Sequence, residues 1–124
     1  LWSALSGWAA LAVIFHAGVA VFMLEYVNYI QHYGLSRDIT ERIAPRHAWE
    51  SQTRWSRWTL LELPLHPAHH LSPSLPFWQL APIEGAPILP TGYYGLFWPS
   101  LFPPLWKRWI DPRIPTTPRI DPEP

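Results

Sequence analysis

The segment LPLHPAHHLSP, residues 63–73, carries three histidines within five positions and a proline near each end. A proline is compatible with a helix only in its first turn, so Pro67 predicts a short helix that begins at His66. His69 and His70 then follow at the third and fourth positions, where side chains share one helix face. Imidazoles at this spacing can converge on one metal ion or straddle two. A solvated loop with no ligand is the alternative interpretation.

Composition limits the donor chemistry. The 124 residues include no cysteine, which excludes thiolate ligands, iron–sulfur clusters, disulfides and a cysteine nucleophile. Imidazole without thiolate suits iron, copper, zinc or nickel, and the residue types do not choose among them. Basic and acidic residues number nine each, so net charge gives no reason to expect a nucleic-acid partner.

A long apolar segment opens the chain. Residues 1–24 contain no Asp, Glu, Lys or Arg, and about 20 apolar residues cross a bilayer core as a helix. A secretory signal is excluded because the run is too long and no basic segment precedes it. His16 lies within this run, nearly opposite His32 on the helix, which favours a hydrogen-bonded packing role over a metal ligand.

Polar residues return before the predicted helix ends. Glu25, Asn28, Tyr29 and His32 are spaced so that they share one helix face. This face either caps the helix among lipid headgroups or looks into a polar site within a helix bundle. Gly34 is the predicted end of the helix.

The basic residues indicate an orientation. The five arginines nearest to the spanning helix all follow it and none precedes it, which by the positive-inside rule places the His32 end in the cytoplasm. They are Arg37, Arg42, Arg46, Arg54 and Arg57.

The predicted fold is all-α and integral to the membrane. One transmembrane helix, residues 1–33, runs into a helical extension on the cytoplasmic side. Residues 34–72 form a connection that carries the histidine segment, with a short apolar helix from Trp58 to Leu63 that Pro64 ends.

Residues 73–124 are predicted to be a proline-rich, aromatic segment at the membrane interface. Prolines recur too often between Pro73 and Pro90 for a regular helix, and the apolar run at 93–106 is too short and broken to span. The polar tail from Asp111 to Pro124 is predicted to be disordered.

Four segments, in order, resemble one family. NYIQHYGLSR at 28–37 resembles the NYIEHYGL signature of the integral-membrane alkane hydroxylases (alkane 1-monooxygenases), and HAWES at 47–51 is similar to their HSWNS. HPAHH at 66–70 resembles their last histidine box, HSDHH. The segment at 89–114, with its PPLW and DPR, is similar to their C-terminal region.

The resemblance implies a non-haem di-iron oxygenase, distantly related to membrane fatty-acid desaturases. It would hydroxylate terminal C–H bonds of alkanes or similar acyl chains with O₂, in the bacterial inner (plasma) membrane, with electrons from a rubredoxin-type donor. By motif position, the implied iron ligands are His32, His66, His69 and His70, and no other catalytic residue is implied.

The chain also departs from the family pattern. The family's LQR before the last box is LPL here, and the Asn-Pro-Thr-Arg after it is LSPS. Lost outer partners matter because such groups orient ligands and tune the metal. Glu25, Asn28 and His47 are the candidates for that role.

The family's upstream histidine boxes have no match here. The chain therefore resembles the C-terminal third of such an enzyme, in a protein that would be multi-pass when whole, and we expect it to be inactive alone. A missing N-terminal portion or a partner membrane chain would supply the other ligands. The alternative is a truncated, non-catalytic relative that serves as a membrane subunit of a larger assembly.

Overall fold

The computed structural model describes residues 2–116, and within that range the chain is helical and forms no strand. Five α-helices follow one another: α1 (Trp2–His32), α2 (Arg54–Thr59), α3 (His66–Leu71), α4 (Tyr93–Ser100) and α5 (Pro103–Ile110). Three 3₁₀ turns lie between or after them, at Pro45–His47, Phe77–Gln79 and Asp111–Arg113. The chain divides into two compact units, Leu1–Ile30 and Gln31–Pro124.

The first unit is the long helix. Its segment Ser6–His32 is long and apolar enough to cross a membrane, and apolar side chains such as Leu11 and Phe15 are exposed along it. His16 Nδ1 lies 2.7 Å from Ala12 O, which gives the imidazole a hydrogen-bond partner inside its own helix. The predicted helix and the predicted hydrogen-bonded role of His16 are confirmed.

The end of α1 is a glycine turn. Leu35 N–H donates to His32 O at 3.1 Å, and Gly34 has a φ of 70°. A β-carbon at Gly34 would collide with the side chain of Ile114. Gly34 is thus required both by backbone conformation and by close packing, and the predicted helix end is confirmed.

A buried extended segment organises the second unit. Trp49 N–H donates to Gln31 O, and one residue later Glu50 forms backbone hydrogen bonds to Pro87 O and from Leu89 N–H, all at 2.8 Å. The Trp49 indole N–H donates to Tyr33 O at 2.8 Å. Around this segment lies the core, whose fully buried members include Trp49, Leu65, Leu96, Trp106 and Ile110.

The helix predicted from Trp58 to Leu63 is wrong in position. The helix in this region is α2, Arg54–Thr59, and the following residues form a turn in which Leu61 and Glu62 adopt positive φ. The Glu62 carboxylate accepts from Arg57 Nε, and Glu62 N–H donates to Arg57 O. This side-chain and backbone pairing holds a left-handed turn that the apolar run alone does not predict.

The expectation that Pro73 to Pro90 prevent a regular helix is confirmed, since that stretch holds only the 3₁₀ turn Phe77–Gln79. The proline-containing apolar run that follows, residues 93–106, nevertheless lies mostly in helix. Pro103 and Pro104 occupy the first turn of α5, where a missing N–H breaks no helical hydrogen bond. Pro99 lies in the last turn of α4. Most of the predicted disordered tail, residues 117–124, lies outside the described residues, whereas Asp111–Arg113 forms a 3₁₀ turn directly after α5.

Candidate metal centre

Helix α3 begins at His66 with Pro67 in its first turn, as the sequence predicts. Pro67 and Ala68 are buried, which fixes the orientation of this short helix against the second unit. His66 and His70, one turn apart, lie on the same face with ring centroids 4.2 Å apart. Two imidazoles of the histidine segment are therefore held together by local helix geometry.

The third imidazole comes from the end of α1. His32 Nε2 lies 3.3 Å from His70 Nε2, and His70 Nε2 lies 2.8 Å from His66 Nε2. The three ligand atoms all lie within 4.8 Å of one another. We call His32, His66 and His70 the histidine cluster.

The spacing of the cluster fits a single metal ion. Imidazole nitrogen binds first-row metals at roughly 2.0–2.1 Å, so two adjacent ligands on one ion lie roughly 3.0–3.4 Å apart. The observed separations of 2.8 and 3.3 Å are close to that range. The donor set, imidazole without thiolate, is also one that iron accepts.

The environment of His66 and His70 favours their neutral forms. Burial, then the neighbouring His70, His32 and His69, lowers the pKa of His66 to about 3. Burial and nearby His32, His69 and Arg37 likewise lower the pKa of His70. A neutral imidazole is the form that binds metal, so both rings are ready to act as ligands at neutral pH.

We expect acid to destabilise the metal-free chain. Because the folded-state pKa of His66 lies below the ordinary value of 6.5, the unfolded chain binds more protons as pH falls from 6.5 toward 3. The free energy of unfolding is therefore highest above pH 6.5 and decreases through that window. Thermal unfolding of the parent and of His66→Gln from pH 7.5 to 4.5 measures this. An equally steep decline in both proteins would contradict it.

His69 is not part of the cluster. Its ring lies 6.1 Å from the His66 ring and 6.3 Å from the His70 ring, and its side chain is exposed. It lines a separate cavity of about 340 Å³ whose other walls are apolar side chains such as Leu63 and Phe77. His66 and His70 thus lie in the histidine cluster, whereas His69 lies at the separate cavity. The role of His69 as a metal ligand stays a prediction.

A cavity of about 250 Å³ lies beside the cluster, bordered by His32, His70, Arg37 and His47 among others. His47 Nδ1 accepts the Ala44 N–H at 3.0 Å, and its Nε2 lies 3.4 Å from Glu41 Oε2. Burial, then Arg46 and Arg37, lowers the pKa of His47. His47 therefore borders the same cavity as His32 and His70, while its two ring nitrogens lie near Ala44 and Glu41 of its own loop.

Comparison with known proteins decides the family. The family model described as "Fatty acid desaturase" matches residues 1–106. The chain belongs to the fatty acid desaturase family. Within it, the chain is 37% identical over 102 residues to an alkane 1-monooxygenase of Acinetobacter baylyi, an alignment that covers 78% of this chain and 24% of the relative.

Other curated relatives of this desaturase-family chain agree. It is 37% identical over 116 residues to alkane 1-monooxygenase 2 of Pseudomonas aeruginosa, covering 87% of the chain and 30% of the relative. It is 36% identical over 88 residues to the xylene/toluene monooxygenase hydroxylase component of Pseudomonas putida, covering 71% and 24%. The predicted resemblance to alkane hydroxylases is confirmed, and the chain spans 24–30% of the length of these relatives.

Two of the three predicted outer partners of the ligands lie on the first unit. Glu25 and Asn28 lie on α1 with exposed side chains, and together with His47 they stay predictions as outer partners of a metal. Sequence reasoning missed two buried polar residues, Gln31 and Tyr93. The available signal for Gln31 was its position inside NYIQHYG, directly before a predicted ligand.

Proposed function

We propose that this chain supplies part of the iron centre of a membrane monooxygenase that hydroxylates terminal C–H bonds of alkanes or similar acyl chains with O₂. The observation that carries the proposal is the convergence of three imidazole nitrogens, from two separate helices, within 4.8 Å of one another. The relatives, which are named as alkane and xylene/toluene monooxygenases, support the reaction class.

The cluster residues have distinct parts in this proposal. His66 and His70 would hold one iron from α3, and His32 would hold it from the end of α1. His69 faces away and would bind a second iron, together with ligands from outside this chain. Iron held by imidazoles supplies the activation of O₂.

If His66 Nε2 held iron, the opposite ring nitrogen would need a hydrogen-bond acceptor. His66 Nδ1 is buried and has no hydrogen-bond partner among the described residues. When Nε2 binds metal, the opposite nitrogen carries a proton and ordinarily donates it to an acceptor. An acceptor from the rest of the assembly would complete this position.

The membrane setting follows from the order of elements. The spanning segment ends at His32, so the cluster lies near the end of a membrane helix. The arginines after it support a position of that end on the cytoplasmic side of a bacterial inner membrane, where a soluble rubredoxin-type donor would have access. An apolar substrate would reach the centre from the lipid.

A second candidate function is a non-catalytic membrane subunit. Its supporting observation is the exposure of large aromatics on the second unit, including Trp55 at 65%, Trp58 at 60% and Trp98 at 68%. Large exposed apolar surfaces mark sites of association with proteins or membranes. Histidine boxes in the reading frame upstream of Leu1 would favour the enzyme, and a start codon directly before Leu1 would favour the subunit.

Product formation tests the enzymatic proposal. The open reading frame that contains this chain is expressed in bacterial membranes with rubredoxin, its reductase and NADH, and octane conversion to 1-octanol is followed by gas chromatography. We expect the parent and His16→Ala to form the alcohol, and His70→Ala to form none. The 124-residue chain alone is expected to be inactive. Equal alcohol formation by His70→Ala would overturn the proposal.

A further inference from the structure

Gln31 lies directly before the cluster member His32 and is 2% exposed. Its side-chain Nε2 donates to Tyr93 Oη at 2.6 Å and to Leu63 O at 3.3 Å. Its backbone carbonyl accepts from Trp49 N–H at 2.8 Å. One buried residue at the end of α1 is therefore bonded to three other parts of the second unit.

The hydrogen bond from Gln31 to Leu63 O holds the backbone segment that directly precedes α3. Leu63 is three residues before His66 and follows directly on the left-handed pair Leu61 and Glu62. The next carbonyl, Pro64 O, accepts from Ser51 N–H at 3.0 Å. Because a left-handed turn of non-glycine residues is intrinsically unfavourable, these two outside donors help to hold the backbone that leads into α3.

Tyr93 provides the second hydrogen-bond acceptor for the Gln31 side-chain amide. It begins α4, is 2% exposed, and its backbone N–H donates to Ser56 Oγ at 3.0 Å. Its hydroxyl oxygen is therefore presented to Gln31 from a fixed position. A buried amide that loses such a partner leaves an unsatisfied polar group, and the surroundings shift to relieve it.

We propose that Gln31 and Tyr93 are positioning residues that set the separation between His32 and the His66–His70 pair, and thereby the metal affinity of the histidine cluster. The inference rests on the proposed function. Gln31 directly precedes His32 in the chain. Through its hydrogen bond to Leu63 O it also orients α3, which carries His66 and His70. Residues that orient metal ligands typically change affinity 10- to 100-fold when replaced.

The chain offers a matched control for the tyrosine. Tyr94, next to Tyr93 on α4, also has a bonded hydroxyl, which donates to Thr59 Oγ1 at 2.8 Å on an exposed surface. Tyr93→Phe and Tyr94→Phe each remove one hydroxyl and nothing else. Gln31→Met removes both side-chain bonds of the amide while keeping its length, and the double variant Gln31→Met/Tyr93→Phe tests whether the two residues act as a unit.

The measurement is titration with Co(II) of the full chain in nanodiscs, followed by the visible absorption of the bound ion, with thermal unfolding recorded on the metal-free proteins. We expect the dissociation constant to rise about tenfold in Gln31→Met and several-fold in Tyr93→Phe, with an altered spectrum. The double variant should match Gln31→Met, and Tyr94→Phe should match the parent. If Gln31→Met does not fold, Tyr93→Phe decides the result alone.

Unchanged affinity and spectrum in Tyr93→Phe and Gln31→Met, with or without a lower melting temperature, would overturn the inference and leave the proposed function intact. A parent chain that binds no Co(II) through the cluster would overturn both.

Discussion

Replacement of His70 by alanine is expected to lower the affinity of the chain for Co(II) or iron at least roughly 100-fold, since loss of a ligand exceeds the effect of losing an outer partner. His70 Nε2 lies within 3.3 Å of both His66 Nε2 and His32 Nε2. It is thus the central member of the cluster. Its removal leaves only the imidazoles of His32 on α1 and His66 on α3, without the ring that lies close to both.

Two other histidines serve as controls for His70→Ala. His16 bonds within its own helix, so His16→Ala should bind metal like the parent. His69→Ala should retain the high-affinity ion and lose at most a second, weaker one, because its ring lies 6.1 Å from the His66 ring. Isothermal titration under anaerobic conditions gives the affinity and the number of ions. Equal losses in His69→Ala and His70→Ala would contradict the cluster as described.

Replacement of Trp49 by alanine is expected to lower the free energy of unfolding by about 3–5 kcal/mol, the usual range for a large aromatic removed from a core. Trp49 is fully buried. Its indole N–H donates to Tyr33 O and its backbone N–H to Gln31 O. The variant creates a cavity and leaves the Tyr33 carbonyl without this donor beside the turn that follows His32.

Trp78 is the matched control for Trp49, since it is 70% exposed. Its replacement by alanine removes the same side chain from the surface, where effects are ordinarily within about 0.5 kcal/mol. Urea unfolding followed by circular dichroism measures both variants in detergent of fixed composition. A loss in Trp49→Ala no larger than in Trp78→Ala would show that this segment does not organise the core.

Local chemistry was sufficient to predict the parts of the site that depend on neighbouring residues. Pro67 fixes the start of α3, and the three- and four-residue spacing then makes His69 and His70 the candidates to share a face with His66. Gly34 likewise fixes the end of α1 through its positive φ. These features follow from residue types within one turn of helix.

Features that depend on distant partners could not be predicted in this way. His69 and His70 have nearly the same spacing from His66, and only the packing of buried Pro67 and Ala68 decides which ring turns toward His32. The left-handed turn at Leu61 depends on Arg57 and Glu62 pairing around it. The role of Gln31 depends on Tyr93, 62 residues later.

X-ray absorption spectroscopy of the iron-loaded chain tests the central claim most directly, because it reports the atoms bound to the metal. The proposal predicts nitrogen donors near roughly 2.1 Å together with outer-shell scattering from three imidazole rings, and loss of that scattering in the variant that lacks His66 and His70. An oxygen-only shell, or a spectrum unchanged in that variant, would contradict a metal centre formed by His32, His66 and His70.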